Sequence, residues 1–136
     1  MSDQRNISIE IPKHLLEQII SRAAVHGRKR NGEYRYLVQM GLDHAGDADI
    51  VIDLPRDEMT KTTARMSYEL EAALLARARK FERGLGWELV RMMAYAIQVR
   101  TNADLKVIAG MIERRDREAA ALQPPEPPAP QPSTPG

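Results

Sequence analysis

The chain has 136 residues, 29% of them charged, with a formal net charge of +1 and no cysteine. Without cysteine there are no disulfides and no thiolate metal sites, which fits a reducing compartment. No apolar run approaches the length of a membrane span and no apolar leader opens the chain, so a cytoplasmic location with no membrane partner is expected.

Charge is unevenly placed. Residues 1–45 carry seven basic and five acidic side chains (net +2), residues 46–59 one and five (net −4), and residues 60–100 eight and four (net +4). Two basic blocks are thus joined by an acidic linker, and the near-zero total conceals local basic faces.

In chain order, Asn6-Ile7-Ser8-Ile9-Glu10-Ile11 alternates polar with β-branched residues and predicts a half-buried strand. Pro12 ends it and suits the opening turn of a helix. From Lys13 to His26, Leu15, Leu16, Ile19, Ile20, Ala23 and Ala24 recur at helical spacing. Gly27 supplies a C-cap, and Asn31 or Gly32 opens a second helix through Tyr34, Leu37, Val38 and Leu42 to about His44. In the acidic linker, Ile50-Val51-Ile52-Asp53-Leu54 reads either as a short strand or as a segment lying on the core. Lys61-Thr62-Thr63-Ala64-Arg65-Met66 predicts a second, weaker strand. Ser67 is an N-cap before Tyr68-Glu69-Leu70-Glu71, with a helix to about Glu82. Gly84 and Gly86 break the chain, and Trp87 to Arg100 forms the next helix. Thr101-Asn102-Ala103-Asp104 resembles a capping box and opens an additional helix to about Leu122, with Leu105, Ile108 and Ile112 on one face. That helix is expected to pack on the bundle or to mediate self-association. Residues 123–136, almost all Pro, Gln, Ser, Ala and Gly, form a Pro-rich tail that is expected to be disordered, as a spacer or a docking segment.

Sliding the chain against itself by 55 residues superposes the apolar positions without a gap. Ile9 falls on Ala64, Ile11 on Met66, Leu15 on Leu70, Ile19 on Leu74, Leu37 on Met92 and Leu42 on Ile97, and Glu33 meets Glu88. Neither half can stand alone, because about 40 residues with a single strand leave unpaired backbone groups and an uncovered apolar face. The strands therefore have to pair with each other, giving a pseudo-dimer within one chain, or with those of a second molecule in a homodimer.

Strand, proline, amphipathic helix, glycine turn and second helix in this order resemble the ribbon-helix-helix family, which includes the Arc and methionine repressors. The nearest stretch is Ile7 to Leu42, with Gly27-Arg28-Lys29-Arg30-Asn31-Gly32-Glu33-Tyr34 at the turn. Residues 62–97 fit the same frame without the proline, with Glu82-Arg83-Gly84-Leu85-Gly86 at the turn, and the tandem layout is similar to TraY-type proteins. The resemblance implies a mainly α fold: a two-stranded antiparallel ribbon over four helices, plus an additional C-terminal helix. The expected segments are a first repeat at 1–45, the acidic linker at 46–59, a second repeat at 60–100, a C-terminal helix at 101–122 and the tail at 123–136.

The same resemblance implies that the ribbon enters the major groove of double-stranded DNA, with Asn6, Ser8 and Glu10 from one strand and Lys61, Thr63 and Arg65 from the other facing the bases. Arg65 or Lys61 would donate to guanine, Asn6 would pair with adenine and Glu10 would accept from cytosine. Phosphates would be gripped at the start of each second helix by Arg28, Lys29, Arg30 and Asn31 in the first repeat and by Arg83, Leu85 and Gly86 in the second. The expected function is sequence-specific transcriptional repression or regulation. An accessory role in plasmid or phage DNA processing is the alternative, and an antitoxin-like or adaptor module binding protein is the alternative of another class. No enzyme, cofactor or metal is expected: His14, His26 and His44 are scattered, no nucleophile-base set has defensible spacing, and no glycine-rich phosphate loop is present.

Overall fold

The computed structural model describes residues 4–54 and 58–122, so the Pro-rich tail at 123–136 lies outside the described residues. The elements run β1 (Gln4–Pro12), α1 (Lys13–Val25), α2 (Arg30–Ala45), β2 (Met59–Ser67), α3 (Tyr68–Lys80) and α4 (Leu85–Leu122). The fold is mainly helical with one two-stranded antiparallel sheet. The chain divides into two units, Met1–Thr101 and Asn102–Gly136.

In the first unit, β1 pairs with β2 from Gln4 opposite Ser67 to Pro12 opposite Met59. Both strands are longer than the six residues expected of each. The alternation decides which face is buried: Ile7, Ile9 and Ile11 from β1 and Ala64 and Met66 from β2 point into the core, because successive side chains of a strand take opposite faces. Beneath them lie Leu15, Ile19, Tyr34, Leu37, Val38, Leu74, Leu89, Met92 and Met93, all 5% exposed or less. Such a core is aliphatic and Met-filled because only one Trp and one Phe are present. Burial pushes the Tyr34 phenol above its usual range, and Arg30 and Thr62 beside it pull it back.

Pro12 closes β1 at φ −57° and ψ 134° and is also the residue before the helix, so one proline serves both elements. Lys13 N–H, the next donor, bonds Glu58 O at 2.9 Å across the ribbon end. Ser67 caps α3 as expected, its Oγ accepting from Leu70 N–H at 3.2 Å. Helix α1 ends in a Schellman turn: Gly27 has φ +65°, Arg28 N–H reaches Ala23 O at 2.8 Å and Gly27 N–H reaches Ala24 O at 3.2 Å. Helix α3 ends the same way, with Arg83 N–H on Ala78 O at 2.7 Å and Glu82 N–H on Arg79 O at 3.4 Å. There the left-handed residue is Glu82 at φ +56°, the only described non-glycine residue with positive φ.

Two expectations fail in the last third of the chain. Gly86 does not break the chain; it is the second residue of α4, where a Cβ would sit 2.7 Å from Ser8 O. Glycine is needed there for close approach, not for flexibility. The separate C-terminal helix from 101 is also not observed, since α4 runs unbroken for 38 residues. Thr101, Asn102, Ala103 and Asp104 each tolerate helical dihedrals at a cost of about 0.7 kcal/mol or less, and no proline intervenes to turn the cap signature into a helix start. In the second unit, Leu105, Ile108 and Ile112 are more than half exposed and no described residue is buried. Residues 50–54 form no strand: Ile50 is buried, Ile52 and Leu54 pack partly against the core, and Val51 is exposed. No helix among the described residues is long and apolar enough to cross a membrane.

Candidate nucleic-acid interface

All six ribbon residues expected to face bases are exposed, because they hold the parity opposite to the buried isoleucines. The register pairs them in three successive rungs: Asn6 opposite Arg65, Ser8 opposite Thr63 and Glu10 opposite Lys61. The rungs are chemically matched. Arg65 Nε donates to Asn6 Oδ1 at 3.3 Å, and Lys61 Nζ lies 3.9 Å from Glu10 Oε1. Glu10 therefore does not present an uncompensated negative charge on this face. With about 3.4 Å per residue, the nine paired positions make a ribbon roughly 30 Å long, carrying hydrogen-bonding groups of both senses outward.

The start of each second helix abuts the ribbon's outer edge. At α2, Asn31 Oδ1 accepts from Arg65 N–H at 3.1 Å, so the expected phosphate residue Asn31 orients the strand that carries Arg65. Lys29 precedes the helix without a side-chain cap bond, so the first amides of α2 keep no capping side chain. Arg28, Lys29, Asn31, Arg35 and Arg65 line a cleft of about 370 Å³ there, together with Gly32 and Gln4. Three of the expected phosphate residues thus surround one opening, and Arg35 joins them. The sequence carried a signal for Arg35, which is one helical turn from Asn31 on the same face. Arg30 is instead beside Tyr34.

Two expected phosphate-binding arginines have inward partners. Arg28 Nη1 donates to Glu33 Oε2 at 2.9 Å, and its guanidinium stacks 4.0 Å over the Tyr36 ring. Arg83 makes two 2.8 Å bonds to the Asp49 carboxylate and a 3.2 Å bond to Glu88. These contacts hold the Asp49 carboxyl below the usual range and raise Arg83 further. A guanidinium held from two sides is a poor phosphate ligand, so the phosphate expectation at the α4 end is left to the backbone of Leu85 and Gly86, both half-buried. The interface is lopsided in charge, with cations concentrated at the α2 end.

Sequence reasoning aligned Glu33 with Glu88 but gave them no role. Both are fully buried, and each meets two arginines. Glu33 lies 3.7 Å from Arg22 Nε and 2.9 Å from Arg28 Nη1; Glu88 lies 3.3 Å from Arg77 Nε and 3.2 Å from Arg83 Nη1. The glutamate and both arginines of one cluster are 55 residues from their counterparts in the other, as are the two Schellman turns. The signal was present in the sequence as three coincidences at one offset, Arg22 with Arg77, Arg28 with Arg83 and Glu33 with Glu88. Each cluster ties the helix after a strand to the turn and helix that follow it, and so sets the angle at which α2 and α4 meet the ribbon.

Comparison of the chain with protein-family models, with curated proteins and with solved structures found no match.

Proposed function

We propose that the protein binds double-stranded DNA sequence-specifically as a tandem ribbon-helix-helix unit and acts as a transcriptional repressor or regulator. The observation that carries this reading is the outward face of the ribbon: three polar cross-strand rungs, with a basic cleft at the start of α2 beside one end. The major groove is about 12 Å wide and admits a two-stranded ribbon, and its base edges offer the donors and acceptors that Asn, Arg, Lys and Thr can read.

The tandem character is supported by the register. Ser8 pairs with Thr63, its own counterpart 55 residues on, so a pseudo-twofold axis crosses the ribbon at that rung and relates Asn6 to Lys61 and Glu10 to Arg65. One chain then supplies what two chains supply in a symmetric dimer. Because the related residues differ, the two halves of the DNA site must differ as well. The acidic linker is held by its main-chain carbonyls on Arg77 and Lys80, and its Asp49 carboxylate is neutralised by Arg83.

The test is fluorescence anisotropy of the protein on DNA upstream of its own gene, beside a scrambled duplex, across a salt series. Preference for the native duplex by about a thousandfold or more, with affinity falling steeply as salt rises, supports the reading. Arg65→Ala is expected to cost about 1–3 kcal/mol of discrimination at one base pair, while Lys29→Ala weakens all duplexes alike. No binding to any duplex at low salt in a genome-wide site selection would refute it. The protein-binding alternative is favoured by one observation, the exposed Leu105, Ile108, Met111 and Ile112 of the second unit. In that case Arg65→Ala leaves partner binding unchanged.

A further inference from the structure

Within the second unit, large apolar side chains crowd one short stretch of helix. Leu105, Val107, Ile108, Met111 and Ile112 are each 51–63% exposed. They share one side of α4, because helical residues three and four apart lie over one another. A contiguous apolar stripe on a helix surface marks an interaction site more often than a bare surface. The residues among it indicate what it meets.

Two charged residues stand on the same side, opposite in sign and symmetrically spaced. Asp104 precedes Ile108 by four residues and Arg115 follows Met111 by four, so the stripe reads Asp104, Ile108, Met111, Arg115 at intervals of four, three and four. That spacing is the seam of a two-helix coiled coil. Laid antiparallel on a second copy, the seam matches itself. Asp104 meets the partner's Arg115, Ile108 meets the partner's Met111, and both layers recur by the twofold axis. Leu105 then flanks the partner's Ile112. A parallel pair would instead set Asp104 on Asp104 and Arg115 on Arg115. Sliding the antiparallel pair by one heptad sets Ile108 against Asp104 in one direction and against Glu118 in the other. One register alone neutralises both charges and keeps the apolar residues together.

We infer that residues 104–115 pair antiparallel with the same residues of a second copy of this chain, two Asp104–Arg115 ion pairs closing an apolar centre of Leu105, Ile108, Met111 and Ile112. At 1.5 Å per residue the paired stretch is about 18 Å long. So short a contact buries less than about 1,200 Å² in total, the range of weak and transient associations, so the dimer forms at roughly tens to hundreds of micromolar. The end ion pairs, open to water, set orientation and register more than affinity. The pairing rests on the second unit alone and stands whether or not the ribbon binds DNA.

Sedimentation equilibrium of the full chain, from about 10 µM to about 1 mM, reads the association, and a monomer–dimer equilibrium is expected. Asp104→Arg and Arg115→Asp each place like charges in both end layers, and each is expected to weaken the dimer at least about tenfold. Combined in one chain, the two changes exchange the signs and are expected to restore dimerisation. Both positions are exposed, so circular dichroism and the thermal melt should not move. A chain that stays monomeric throughout overturns the inference and leaves the apolar stripe to a different protein. Single variants that dimerise like the wild type also overturn it, since the copies then meet in parallel or through another surface. A double variant that fails to recover does the same, because the charges are then not opposed across the pair.

Discussion

Replacing Glu88 with Gln tests the claim that the fully buried carboxylate holds the second half together. Arg77 is only 8% exposed in its side chain, and among the described residues Glu88 alone supplies a compensating negative charge, at 3.3 Å, the other two bonds going to neutral carbonyls. Removing that charge while keeping the side-chain shape leaves a desolvated guanidinium facing an amide, which costs about 3–5 kcal/mol. Arg83 adds little to the loss, because it is more exposed and keeps the Asp49 carboxylate. The matching change Glu33→Gln should cost less, about 1–3 kcal/mol, since Arg22, His26 and Arg28 are 23%, 33% and 36% exposed and water can solvate them. Urea unfolding reads both. With a slope of about 1–3 kcal/mol per molar for a small domain, Glu88→Gln lowers the midpoint by roughly 1–5 M and Glu33→Gln by clearly less. If Glu88→Gln shifts stability by under about 1 kcal/mol, or if Glu33→Gln is the more damaging, the account of the two clusters is wrong.

Glu82→Gly should stabilise the protein by about 0.5–1 kcal/mol, because Glu82 holds the left-handed position that Gly27 holds in the other half, and relief of that strain outweighs the added freedom of the unfolded chain. A thermal melt that moves down would show that Glu82 makes a contact worth more than its strain. The Asp49–Arg83 pair sets a sign for pH. Arg83 holds the folded carboxyl below its unfolded range, so the pair's stabilisation is present above the unfolded pKa of about 4 and is lost as pH falls through the folded value. Asp49→Asn should therefore flatten the acid limb of the stability profile, and an unaltered limb would place the acid sensitivity elsewhere.

The ribbon was the most legible part of the sequence. Alternation in Asn6 to Ile11 and in Lys61 to Met66 separates inward from outward residues without any knowledge of the partner strand, because a strand's side-chain period is two. The helical stripes, the Ser67 cap and the Gly27 turn were legible for the same reason: each rests on residues a few positions apart. A single offset of 55 also carried the arginines and glutamates of both clusters, although their burial was invisible in it.

The tertiary structure decided what depends on distant groups. Whether Arg83 is free for an anion turns on Asp49, 34 residues earlier, and whether Gly86 is a breaker or a contact turns on the Ser8 carbonyl. The cap signature at Thr101–Asp104 did not start a helix, because a local cap preference of about 1 kcal/mol cannot interrupt a helix whose next turns are already formed. Periodicity and caps are short-range properties of the chain and are written in adjacent residues; charge partnership and close backbone approach arise only when the fold brings remote residues within a few ångströms.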